Sequence, residues 1–130
     1  METYPELRPL LHQSLTDILK VQKPDGGFNM TFSDAFKTPK TVNHWCHGAP
    51  GAIGPLLSAT QLYLKLAEAE EGREESLAFA RKLYSSAMKS AELTWEQGLI
   101  LKGNGLCHGI SGNGILIHSV ARWHHSLDTE

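Results

Sequence analysis

Apolar residues recur at helical spacing in four stretches of the chain. From residue 5 to about 21, Leu7, Leu10, Leu11, Leu15, Ile18 and Leu19 share one face, and Pro5 is tolerated in a first turn. Pro24-Asp25-Gly26-Gly27 stops that helix with strong turn chemistry. No period is sustained over the next residues, so 23–44 reads as a long loop anchored by Phe28, Phe32 and Phe36. A second helix is expected from about Gly51 to Ala69, with Ile53, Leu56, Leu57, Tyr63, Leu64 and Ala67 inward and Pro55 in its first turn. A third is expected from about Glu74 to Glu96, burying Leu77, Ala80, Tyr84, Ala87, Met88, Ala91 and Trp95 and stopping at Gly98. Leu99-Ile100-Leu101 links it to a fourth, from about Asn113 to His125, carried by Ile115, Leu116, Val120 and Ala121. No alternating run is long enough for a sheet. The fold class is all-α.

Composition narrows the setting more than the activity. The chain has 130 residues, 41% hydrophobic and 20% charged, with a net charge of −2. That is the balance of one ordinary globular domain. Lys and Arg are scattered, so nothing points to nucleic acid, and no apolar run approaches a membrane span. Two cysteines are too few for a disulfide scaffold, which fits a reduced cytoplasmic or nuclear location; membrane association is left open.

The chemistry gathers where the last two predicted inner helices begin. Trp45–Gly54 reads WCHGAPGAIG and Gly103–Gly114 reads GNGLCHGISGNG, so a Cys-His-Gly-x-x-Gly frame occurs twice. The only two cysteines, Cys46 and Cys107, hold the same place in both copies, 61 residues apart. That interval accommodates a helix, a turn, a second helix and a return loop, the period of a helical-hairpin array. Two thiols beside imidazoles point to a borderline-soft metal such as zinc, with three ligands and an open position marking a catalytic site. A pair of buried turn cysteines, or a disulfide, is the plainer alternative. Both clusters precede helix N-termini, where a thiol's pKa tends to fall.

The stretches HWCHGAPG (residues 44–51) and GLCHGISG (residues 105–112) resemble the lanthionine synthetase C-like proteins, the eukaryotic branch above all. The similarity covers most of residues 40–125. It implies an α/α toroid of helical hairpins around a zinc ion, of which this chain would form about two of seven as a fragment of one domain. By position, the implied zinc ligands are Cys46, Cys107 and His108. Bacterial relatives close thioether rings by adding a peptide thiol to a dehydrated serine or threonine. Eukaryotic relatives resemble enzymes that add glutathione to dehydroamino acids in proteins, and their lysine five residues before the second cysteine matches Lys102. The family's catalytic histidine from an earlier hairpin has no counterpart here.

Thiol addition to a dehydroamino acid leaves an enolate that needs a proton, and His47 is the candidate acid tied to the motif, with a turn histidine as the plain alternative. Lys102 would meet a glutathione carboxylate, or it is a solvated loop lysine. His44 is expected to orient a ligand, Trp45 to pack against helices, and Ser111 and Asn113 to cap the fourth helix. Two further readings stand beside the enzyme. One is a signalling protein that binds zinc and glutathione without turnover; the other is a non-catalytic helical-repeat scaffold. An open array should also leave Leu7, Leu11, Ile18, Leu116, Ile117 and Val120 in water.

Overall fold

The protein is represented by a computed structural model that describes residues 5–31, 43–69 and 72–127. Phe32, Phe36 and half of the expected 23–44 loop, residues 32–42, lie outside the described residues. A 3-10 turn, Pro5–Leu7, leads into α1, Arg8–Val21; α2 is Ala49–Glu68, α3 is Arg73–Gln97 and α4 is Ile110–Leu127. Among the described residues there is no strand beyond one isolated bridge between His44 and His47. The architecture is all-α, consistent with part of a helical-hairpin toroid.

The α2–α3 hairpin forms the body of the fold. Ile53, Leu56 and Leu57 of α2 meet Phe79, Ala80, Leu83 and Ala87 of α3 in one buried cluster. Leu15 of α1 and Leu116 of α4 join it from either side. Glu74 and Glu75 occupy the first turn of α3, where negative charge complements the helix dipole. His12 of α1 places Nδ1 2.9 Å from the Tyr63 hydroxyl and packs its ring on Phe79 at 4.2 Å, fastening α1 to the hairpin.

Helices α2, α3 and α4 begin earlier than their apolar patterns suggest, whereas α1 is shorter because its expected first turn is the 3-10 turn. Ala49-Pro50 start α2 two residues early because proline at the first positions needs no N–H donor. Pro55 therefore lies inside the helix rather than in its first turn. Helix α4 begins at Ile110, three residues before the expected start, and runs 18 residues. Its Leu116 is buried, and Ile117 and Val120 pack against the core, as does Ile18 of α1. The expectation that these four lie in water is thus corrected. Leu7 and Leu11 are indeed exposed.

The seam of α3 is rotated by about one residue from the expected stripe. Trp95 is 77% exposed, while Ser86, Ser90 and Thr94 are buried. The reason is polar. Gln22 donates through Nε2 to the Ser86 carbonyl and to Ser90 Oγ, and Ser86 Oγ donates back to Gln22 Oε1 at 2.7 Å. Ser90 Oγ donates to the Gly26 carbonyl at 2.9 Å, and Thr94 Oγ1 to the Ser90 carbonyl at 2.6 Å. Small hydroxyl residues face inward because they receive the turn after α1, and their hydrogen bonds offset the cost of burial.

Candidate metal centre

The two Cys-His-Gly loops lie side by side at the starts of α2 and α4. Cys46 N–H donates to the Cys107 carbonyl at 3.1 Å, joining the loops backbone to backbone. In the first loop His44 N–H donates to the His47 carbonyl at 3.2 Å and His47 N–H returns to the His44 carbonyl at 3.1 Å. In the second, Ile110 N–H donates to the Gly103 carbonyl at 3.1 Å.

The second glycine of each frame has one shared task. A Cβ on Gly51 would collide with the Trp45 carbonyl, and a Cβ on Gly112 with the Leu106 carbonyl. In both loops the residue before the cysteine lays its carbonyl on the helix at the glycine five residues after the cysteine. Only glycine leaves room for that approach.

Asn113 is not a cap. It lies three residues inside α4, 3% exposed, and donates through Nδ2 to the Asn43 carbonyl at 2.8 Å and the Gly98 carbonyl at 3.0 Å. Asn43 Nδ2 in turn reaches Gln97 Oε1 at 3.1 Å. This buried amide strut ties the approach to Cys46 to the end of α3 and the start of α4. Ser111 likewise lies within α4, exposed, rather than at its cap.

These constraints bring Cys46, Cys107 and His108 together. Their two Sγ atoms and one ring nitrogen all lie within 4.8 Å of one another, and all three residues are exposed. Both thiols are free, which removes the disulfide alternative. Around one tetrahedral zinc the sulfurs would stand roughly 3.5–4 Å apart, a spacing the 4.8 Å span of the group accommodates. Two sulfurs and an imidazole nitrogen are also the donor set such an ion prefers. The group can hold a metal.

Electrostatics point the same way. The Cys107 thiol is pushed above its ordinary pKa, first by a hydrogen bond with Cys46, then by desolvation and by the neighbouring thiolate charge. The direction is opposite to the lowering expected at a helix N-terminus, and its first cause is the second sulfur. A divalent cation between the sulfurs would remove that penalty. The His44 imidazole is held below its usual range by burial, with Lys102, His47 and His108 adding positive charge nearby.

Other candidate residues surround the trio. Trp45, 46% exposed, does not bury itself among the helices; with Leu106 it frames a shallow cleft of about 320 Å³ at Cys46 and Cys107. His47 stands outside the three-residue group, with Nδ1 3.1 Å from the Met30 carbonyl. Lys102 is exposed on the loop leading to Cys107. His118 lines a separate groove between α3 and α4, and His124 contacts the Tyr84 hydroxyl at 3.0 Å. Sequence reasoning assigned no part to Asn43, Met30 or the Asn113 strut. Their roles depend on contacts spanning 15 to 70 residues, which no local pattern encodes.

A helical-hairpin array that brings a Cys-Cys-His group to adjoining helix starts defines the class of protein. The chain belongs to the lanthionine synthetase C-like family, matching "Lanthionine synthetase C-like protein" over residues 3–125. It is 30% identical over 104 residues to glutathione S-transferase LANCL1 of Danio rerio, covering 80% of this chain and 21% of that protein. The chain thus spans about a fifth of the length of that relative.

Proposed function

We propose that these residues form the metal-binding part of a zinc-dependent enzyme that adds glutathione to dehydroamino acids in proteins or peptides. The single observation that carries this reading is the convergence of Cys46, Cys107 and His108 within 4.8 Å at an exposed cleft. The glutathione half of the reading leans on the name of the relative, a glutathione S-transferase. In this reading the 130 residues are about two of seven hairpins of one toroid domain, and the free thiols suit a reducing compartment, the cytosol.

Zinc held by the trio would supply Lewis acidity that keeps an incoming thiol ionised near neutral pH. The chain's own residues would do the rest. Lys102, exposed beside the second loop, would pair with a carboxylate of glutathione. Trp45 and Leu106 would offer apolar walls to the substrate and limit water at the reacting carbon. The new bond joins the thiol sulfur to the β-carbon, and the α-carbon then takes a proton. His47 is the nearby candidate donor, if its ring leaves the Met30 carbonyl. That same contact favours the second reading, a protein that binds zinc and glutathione without turnover.

The test uses the full-length protein that carries these residues. Glutathione and a dehydroalanine peptide should give a thioether adduct, detected by mass spectrometry, and chelation of zinc should stop it. Zinc and glutathione bound with no adduct would replace the enzyme with the binding protein. No zinc at all would leave a scaffold. His47→Ala should retain full zinc and lose roughly 10²–10⁴-fold in adduct formation, the usual worth of a general acid. Zinc loss equal to that of a ligand variant would show instead that His47 binds the metal.

A further inference from the structure

His44 stands apart from the three residues that follow it. It is 5% exposed, while Trp45, Cys46 and His47 are all exposed. A buried imidazole needs a polar partner, and His44 Nδ1 lies 3.3 Å from Cys46 Sγ. The paired backbone hydrogen bonds between His44 and His47 close the turn around it and fix where the ring starts. Its ring meets His47 edge-on at 5.9 Å and His108 edge-on at 6.3 Å. The ring nevertheless stays outside the three-residue group, because its nitrogens do not come close to all of the other ligand atoms.

We propose that His44 is a positioning residue that donates an Nδ1–H hydrogen bond to Cys46 Sγ and so makes the two ligand sulfurs unequal. The inference rests on the metal reading given above. A metal-bound thiolate carries no proton, so a hydrogen bond across this gap runs only from ring to sulfur. Such a bond stabilises charge on sulfur and weakens its donation and nucleophilicity. Among the described residues, no imidazole is hydrogen-bonded to Cys107 in this way. Cys46 is therefore held and quietened, and Cys107 is the more electron-rich ligand. That asymmetry has a chemical use: where an electrophilic alkene is brought to a thiol, the hydrogen bond makes Cys46 the less competitive nucleophile, while Cys107 keeps its full donation to the metal.

Cobalt(II) in the full-length protein reads this directly, because sulfur-to-cobalt charge-transfer bands report the electron density of each thiolate. His44→Phe keeps the ring and removes the donor. His44→Asn places an amide N–H close to where Nδ1 stood. In the Phe variant the charge-transfer absorption should move to lower energy and cobalt affinity should fall roughly 10–100-fold. The Asn variant should recover most of both. A purely space-filling role predicts the opposite ranking, since Phe preserves volume and Asn does not. An unmoved band in cobalt-loaded His44→Phe, or an Asn variant no better than Phe, overturns the proposal. Collapse of the tetrahedral d–d bands in the Phe variant would also overturn it, making His44 a ligand. A wild-type protein lacking a two-thiolate cobalt spectrum would sink the metal reading itself, an outcome distinct from the others.

Discussion

Replacing Cys107 with alanine should abolish stoichiometric zinc binding by the full-length protein. Apparent zinc affinities of four-ligand sites are about 10–16 kcal/mol, so one ligand carries about 2.5–4 kcal/mol, or roughly 10²–10³ in affinity. The loss should sit at the upper end here. Among the described residues three protein ligands converge, and removing Cys107 leaves one thiol and one imidazole. The folded backbone should survive, because the Cys46–Cys107 link is made by the Cys107 carbonyl and the residue's side chain is exposed. Competition with a chromophoric chelator measures the change. A Cys107→Ala protein holding one zinc at wild-type affinity would remove this residue from the site.

Purified alone, residues 1–130 should melt without a cooperative transition or should self-associate. Helices α1 and α4 do bury their inner faces, so the argument rests on surfaces elsewhere. A groove of about 550 Å³ between the end of α3 and α4 is walled by Trp95, Leu99, Ile110 and Ile117. Trp95 is 77% exposed, Leu99 81% and Leu101 fully so, with Leu10 of α1 at 66%. Each such side chain forgoes about 1.5–3 kcal/mol of burial. Four together approach the 5–15 kcal/mol that holds an ordinary domain folded. The apolar walls of the groove also invite association. Calorimetry and sedimentation decide the matter. A sharp transition from a monomer with stoichiometric zinc would make this hairpin pair self-sufficient.

The four helices were legible because their apolar residues repeat at helical spacing, and the ligand trio because its frame is written twice. The inward face of α3 was not. Ser86, Ser90 and Thr94 look solvent-facing in sequence, and only the returning turn at Gln22 and Gly26 gives their hydroxyls a reason to be buried. Trp95 is the complementary case: its size suggests a core residue, but it lies one position off the buried seam. Asn113 resembled a cap because it follows glycines before an apolar run. The helix starts earlier, so the same side chain reaches across to Asn43 and Gly98. At the site the residue types were readable, whereas the contact that separates His44 from His47 is tertiary. One imidazole is buried against sulfur and the other lies against the Met30 carbonyl.

X-ray absorption at the zinc edge of the full-length protein, with and without glutathione, tests the central claim most directly. The account predicts two sulfur scatterers at about 2.3 Å and at least one nitrogen at about 2.0–2.1 Å in the free protein, rising to three sulfurs when glutathione is added. A sulfur count that stays at two with saturating glutathione would contradict it, as would a zinc shell without sulfur.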